Sequence, residues 1–325
     1  MDIKIEKVIL HGLDPASGAP VLSEELIQPD EQVREYLKTH FLSCFESDSV
    51  QKSIFLEESQ LKTVLQHVEE DFIGVSRWIG DAFYQVLSQN PGVPAGDLIC
   101  MLCTDHEGAR YFAVLKMNYH DGFAHFYSNG CLSIVGQRVL LPGVGRKLEE
   151  AFIVCLESME IKLMEKKYEM VDESRAFYLS TRILQCLPSI SERSKLMAVK
   201  KAVQKANKEV LGNQKSVEQE LLARMHTCLT EEDAPTVSGL CRGILEEYPQ
   251  IEPMVREQLQ GEDIQPDDRV QVSAATVKRL EKQSVKSSGG VEIKIPADLY
   301  QDRNAVEFIN NPDGTISLLI KNILL

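Results

Sequence analysis

Apolar and charged residues alternate over residues 3–10, "IKIEKVIL", and that period of two predicts a half-buried strand. Asp14-Pro15 and Ser17-Gly18 follow it with a turn. From about residue 24 to 90 the period lengthens to that of helix. Val33, Leu37, Phe41 and Phe45 stand four apart, and "LEESQLKTVLQHVEEDFIGVSRWIGDAFYQVL" continues in the same mode. Glu57, Glu58, Glu69, Glu70 and Asp71 fall on its exposed turns as a solvated face. Two prolines and two glycines in "NPGVPAGD" (90–97) end this region. Four short β segments come next: "LICMLCTD", "RYFAVLKMNY", "AHFYSN" and "QRVLLP", with "HEGA", "HDG" and "NG" as turns. Together with the opening strand they predict one mainly antiparallel sheet packed on the acidic helices.

From Arg146 to about Glu169 the helical period returns, with Leu148, Phe152, Cys155, Leu156, Met159 and Leu163 as its apolar stripe. Further helices are expected over 191–211, 216–229, 234–247 and 273–283. "QGEDIQPDDR" reads as an acidic linker and "KSSGG" (286–290) as a flexible joint. The tail alternates in "VEIKIP" and carries the turn Asn311-Pro312-Asp313-Gly314 before the apolar "ISLLI". The predicted class is α+β. An N-terminal, mainly antiparallel sheet packed with helices spans 1–145. A helical region spans 146–285, and a small C-terminal β element over 286–325 packs on the rest.

Composition adds boundaries to this picture. The chain has 325 residues, 43% hydrophobic and 26% charged, as in ordinary globular proteins. No apolar run approaches the roughly 18–20 residues of a membrane helix. The opening "MDIKIEKVILHGLD" lacks a basic segment followed by a long apolar core, so a cytoplasmic location and no membrane partner are expected. The net charge of −14 excludes a surface coated for nucleic acid, because phosphate would be repelled by most faces. One local basic patch stays compatible with it.

The eight cysteines do not form a disulfide scaffold in a chain of this length. Cys100 and Cys103 in "ICMLCTDH" have the spacing of half a zinc site, but a second ligand pair is missing. An odd separation in a strand also sends the two thiols to opposite faces. The stretch is therefore expected to be a central apolar strand, with no metal and no cofactor. The sequence contains no Gly-x-Ser-x-Gly, no phosphate loop of the Walker type and no His-Glu-x-x-His, so no catalytic residues are assigned.

Positive charge concentrates in two places. In "PGVGRKLEEAF" (142–152), Arg146 and Lys147 would open the predicted helix, where free N–H groups and basic side chains make an anion cradle. Glu149 and Glu150 are the local groups that could neutralise them. In "SERSKLMAVKKAVQKANKEVLGNQK" (191–215), Arg193, Lys195, Lys200, Lys201, Lys205, Lys208 and Lys215 outnumber Glu192 and Glu209. At 100° per residue Leu196, Val199, Val203, Ala206 and Val210 form one face, and Lys201, Lys205 and Lys208 the opposite one. A charged helix face is often only solvated, and the alternative is a surface that tracks phosphates.

Several stretches, in order and across nearly the whole chain, resemble one family. They are "KVILHGLD", "EEDFIGVSRWIGDAF", "LICMLC", "YFAVL", "GVGRKLEEAF" and "SSGGVEIKIPADLY…NPDGTISLLIK". The chain resembles the bacterial nucleoid-associated proteins of the NdpA type. The resemblance implies a cytoplasmic, nucleoid-localised, non-catalytic protein whose partner is DNA, bound nonspecifically and with modest affinity. It brings no catalytic or metal residues. Of the basic elements, Gly145-Arg146-Lys147 matches a family mark, whereas the lysine ridge is read from this sequence alone. The candidate DNA-binding residues are Arg146, Lys147, Lys195, Lys200, Lys201, Lys205 and Lys208. Two other readings stand beside this one: an adaptor recruited to chromosome-bound proteins through the acidic helices of 24–71, and an enzyme acting on nucleic acid. Self-association is left open.

Overall fold

A computed structural model describes residues 2–322 except 213–214, 233, 281, 287–288, 297–298, 300–304 and 312–315. The chain divides into two units, residues 1–189 and 190–325. In chain order the first unit holds β1 (Ile3–Leu13), β2 (Val21–Leu22), α1 (Glu31–Phe45), β3 (Gln51–Phe55), α2 (Gln60–Leu65) and α3 (Phe72–Gln89). Then come β4 (Gly96–Asp105), β5 (Arg110–Asn118), β6 (His120–Ser128), β7 (Cys131–Leu140), β8 (Ala151–Cys155) and β9 (Ile161–Met164). Three short strands, β10 (Tyr168–Glu169), β11 (Arg175–Ala176) and β12 (Cys186–Pro188), close the unit.

Eight of these strands form one sheet in the order β12-β3-β9-β8-β5-β4-β1-β2, and each pairing is antiparallel. One face carries Ile9, Leu98, Cys100, Phe112, Val114, Phe152 and Val154 against Phe72, Ile79 and Phe83 of α3. The other carries Ile99, Met101, Cys103, Ala113, Leu115 and Ile153 against Leu37 and Phe41 of α1. Because helices cover both faces, β4 and β5 read as continuous apolar runs and not as an alternation. Cys100 and Cys103 fall in opposite cores, as their odd spacing requires. Burial pushes both thiols up, Cys103 to about 12, so both are neutral core groups.

α3 starts where Asp71 accepts a hydrogen bond from the Gly74 N–H and continues through Phe72, Val75, Ile79, Phe83 and Val86, one turn apart. At Gly80 it packs tightly on β1 and β2, where a Cβ would lie 2.7 Å from Leu22 Cδ2. The region expected to be helical over 24–90 thus contains three helices interrupted by β3, a strand too short to show a period.

The expected helix over 146–169 is not present. That segment forms β8, β9 and β10. β8 pairs with β5, Phe112 opposite Val154 and Val114 opposite Phe152, so Phe152 and Val154 enter one core while Ala151 and Ile153 enter the other. Burial on both faces leaves no alternation to read, and the surviving apolar positions happen to match a helical stripe.

β6 and β7 leave this sheet and pair only with each other, Phe123 opposite Gly136, His125 opposite Ile134 and Tyr127 opposite Leu132. The ribbon turns through Asn129-Gly130, both at positive φ, as a tight hairpin demands. Nearly every residue of the two strands is exposed, including Cys131 beside the turn.

The second unit holds α4 (Glu192–Val210), α5 (Lys215–Glu231), α6 (Val237–Ile244), α7 (Glu252–Gly261) and α8 (Ala274–Leu280). They pack around Leu196, Val199, Val203, Leu221, Met225, Leu240, Ile244, Val255 and Leu259. α7 lies where no element was expected. The acidic stretch 260–269 begins in the last residues of α7 and continues as a packed loop: Val237 and Ser238 donate to the Asp268 and Pro266 carbonyls, and Ile264 is buried. The tail forms two hairpins. β13 (Lys282–Lys286) pairs with β14 (Glu292–Pro296), and β15 (Val306–Asn310) with β16 (Ile316–Ile320). Ile295 and Val306 bury against Ala223 of α5. The joint expected at 286–290 falls between β13 and β14, with Gly290 at φ 86°; Ser287 and Ser288 lie outside the described residues. Most of the Asn311–Gly314 turn lies outside them as well.

Candidate nucleic-acid interface

The junction between β7 and β8 is a turn, not a helix start: the Arg146 N–H donates to the Gly143 carbonyl at 2.9 Å. The anion cradle expected from a helix N-terminus is therefore absent here. Three contacts fix the loop instead. The Tyr36 hydroxyl of α1 donates to the Pro142 carbonyl at 2.8 Å, and Lys147 Nζ donates to the hydroxyls of Ser47 at 2.8 Å and Ser49 at 2.9 Å. Leu148 is buried beside them.

Glu149 and Glu150, expected to neutralise Arg146 and Lys147, have other partners. Glu149 pairs with Lys166 at 2.7 Å. Glu150 is fully buried and pairs with Lys116 of β5 at 2.9 Å, while the Tyr168 hydroxyl donates to the same carboxylate oxygen at 2.8 Å. Burial pulls the Lys116 ammonium down and the Glu150 carboxylate opposes that shift. Burial first, then Glu150, pushes the Tyr168 hydroxyl well up, which keeps it a donor. Lys116 also donates to Pro94 O and Asn118 Oδ1, so all its protons are committed within the fold. Lys116, His120, Arg146, Lys147 and Glu149 are among the residues that line a cavity of about 100 Å³. Arg146 is exposed and has no ion-pair partner among the described residues.

In the second unit, α4 is capped by the Ser191 hydroxyl, which accepts from the Ser194 N–H. Leu196, Val199, Ala202, Val203 and Ala206 are buried; Val210, assigned by its spacing to that stripe, is exposed at the last turn. Lys201, Lys205 and Lys208 stand exposed on the opposite face, Arg193 is exposed one turn before Met197, and Lys200 is half-buried at the margin. None of these five cations takes part in an ion pair among the described residues. Lys195 departs from the ridge. It is buried, paired to Glu192 Oε1 at 2.7 Å and donating to the Arg269 carbonyl. Its burial depends on a loop 74 residues away, which helical spacing cannot show.

Sequence reasoning missed a groove of about 480 Å³ lined by Ile54, Ile153 and Leu187 together with Lys52 and Lys162. It lies across β3, β9 and β12, strands the sequence did not reveal. Among the described residues no cluster of three or more His, Cys, Asp or Glu side chains is placed to hold a metal ion, and no helix is long and apolar enough to cross a membrane.

Each of the two basic places offers exposed cations. Comparison with known proteins supplies the context. No curated protein matches the chain. The sequence model of the family described as "Nucleoid-associated protein YejK" matches residues 9–324, nearly the full length. The chain therefore belongs to the YejK (NdpA-type) family of nucleoid-associated proteins.

Proposed function

We propose that the protein binds DNA directly, without sequence preference and with modest affinity, as a non-catalytic component of the nucleoid in the cytoplasm. Family membership supports a nucleoid role. Within this chain the supporting observation is the exposed, unpaired row Lys201, Lys205 and Lys208 on α4, in a protein whose net charge is −14. Cations held on a rigid helix can displace counterions from phosphate, and phosphate contacts position a protein without reading bases. Lys200 flanks the row, and Arg146 and Lys147 form a second contact on the other unit. Lys195 takes no part, because its ammonium is committed to Glu192 and Arg269. The acidic remainder limits affinity and restricts the faces that can approach DNA.

The test is a salt-titrated binding series with Lys201→Gln/Lys205→Gln/Lys208→Gln. The lysines touch no core, so the fold should persist. The slope of log affinity against log salt should fall by roughly 3 units, equally on unrelated DNA sequences. Unchanged affinity and slope would sink the α4 contact. Wild-type protein that ignores naked DNA but is retained by chromosome-bound proteins would replace direct binding with the adaptor reading.

A further inference from the structure

The β6–β7 ribbon gathers eight of the exposed large hydrophobic residues: Phe123, Phe126, Tyr127, Leu132, Ile134, Val135, Val139 and Leu140. Cross-strand register places Phe123, His125 and Tyr127 on the same face as Leu132, Ile134 and Gly136. On that face Phe123 is 83% exposed, Ile134 79%, Leu132 70% and Tyr127 67%. Four large side chains in such positions present roughly 500 Å² of contiguous apolar surface, at the upper end of what monomeric proteins show. The other face is poorer: Phe126 stands there among Ala124, Ser128, Ser133 and Val135. Over residues 120–140 the only charged side chains, histidines aside, are Asp121 and Arg138.

We infer that this face is a self-association surface, occupied by the same face of a second copy of the chain. Charge and area select that occupant. DNA needs cations, and the ribbon supplies one arginine. Two copies of a chain with a net charge of −14 repel one another over most of their surfaces, and the neutral ribbon is where that repulsion is least. Packing the two faces across a two-fold axis would bury about 1,000 Å² in total, the lower limit for a biological interface. The pair His125–Ile134 lies midway between Phe123–Gly136 and Tyr127–Leu132, so an axis near it would set Phe123 of one copy against Tyr127 and Leu132 of the other. Such a dimer would carry two copies of each basic surface, and this inference stands whether or not those surfaces bind DNA.

Sedimentation equilibrium on the full-length protein tests it. Wild type should sediment at twice the 36.6 kDa chain mass. Phe123→Asp/Ile134→Asp should sediment as the single chain, its dimer dissociation constant raised at least about 100-fold, as expected for central anchors. Phe126→Ser, on the opposite face, should remain dimeric. Circular dichroism and thermal unfolding report whether each variant keeps its fold. Tyr127→Ser/Leu132→Ser, which removes apolar surface without adding charge, should also dissociate the dimer if the aspartates disturb the ribbon. Wild type that remains a single chain at every concentration up to its solubility limit overturns the inference. So does a dimer that survives both double changes, or one dissociated by Phe126→Ser alone.

Discussion

β5 and β6 follow one another with only Tyr119 between them, and both carry aromatic side chains, Tyr111 and Phe112 in β5 and Phe123, Phe126 and Tyr127 in β6. Their fates are opposite. In β5, Phe112, Ala113, Val114, Leu115 and Met117 are buried, flanked by β4 and β8 and covered by helices on both faces. In β6 the side chains from Phe123 to Ser128 are exposed, and β7 is the sole neighbouring strand. The divergence begins at Tyr119, whose N–H makes a last bond to the Ala95 carbonyl before the ribbon leaves the sheet. An apolar pattern states that burial is needed; it does not state whether the cover comes from the same chain.

That contrast can be broken at its strongest point. Phe112→Ala on β5 removes a ring packed edge-on against Phe72, with centroids 6.0 Å apart, and should lower unfolding free energy by about 3–5 kcal/mol in denaturant titrations. A loss below about 1 kcal/mol would mean that the inner strands are no better packed than an ordinary surface. Next in size is Lys116→Met, which leaves the Glu150 carboxylate buried and unpaired. A loss of about 3 kcal/mol is expected, with most of it regained in Lys116→Met/Glu150→Leu, since a buried pair contributes less than a lone buried charge costs. Should the double variant be no more stable than the single one, the lone Glu150 carboxylate is not what costs the stability.

A pH titration sharpens the same comparison from β1. His11 is buried, its Nδ1 accepting from the Ser23 N–H, and its pKa is lowered to about 4 by burial and then by Arg77. The unfolded chain takes up this proton near 6.5, the folded one near 4. His11 therefore contributes stability that is complete above about 6.5 and is lost as pH falls toward 4. Urea midpoints measured over that window should decline less steeply in His11→Gln; parallel curves would show that other groups dominate. The smallest effect belongs to the ribbon: Phe123→Ser should change monomer stability by less than about 0.5 kcal/mol, because its ring has no core to leave. A large loss there would mean that the ring is already covered within one chain.

The sequence made the central hairpin legible because continuous apolar runs bounded by "AGD", "HEGA" and "HDG" admit few other readings. α3 and α4 were legible too, since each has a half-buried circumference that preserves its period. The strands after Arg146 were not, because Phe152, Leu156, Met159 and Leu163 satisfy helical spacing while both faces of β8 are buried. The chain is bent between β8 and β9 at Met159, φ 58°, a position no composition rule marks. Lys201, Lys205 and Lys208 could be found by angle alone, because exposure on a helix is local. Lys195 and Glu150 could not, since their partners Arg269 and Lys116 are brought to them by tertiary packing.

Cys131 sits beside the ribbon's turn and is the exposed one among the eight cysteines, with five others buried and Cys155 and Cys228 half-buried. Thiol reagents reach thiolates in proportion to their access to solvent, so a maleimide dye should react first at this position. Register puts Cys131 with Ser128 on the face away from Phe123 and Tyr127. A dye attached there would leave the apolar face clear. The chain thus carries a native labelling point beside the turn of the β6–β7 ribbon, from which resonance energy transfer between two dyes could gauge how far apart two such turns stand.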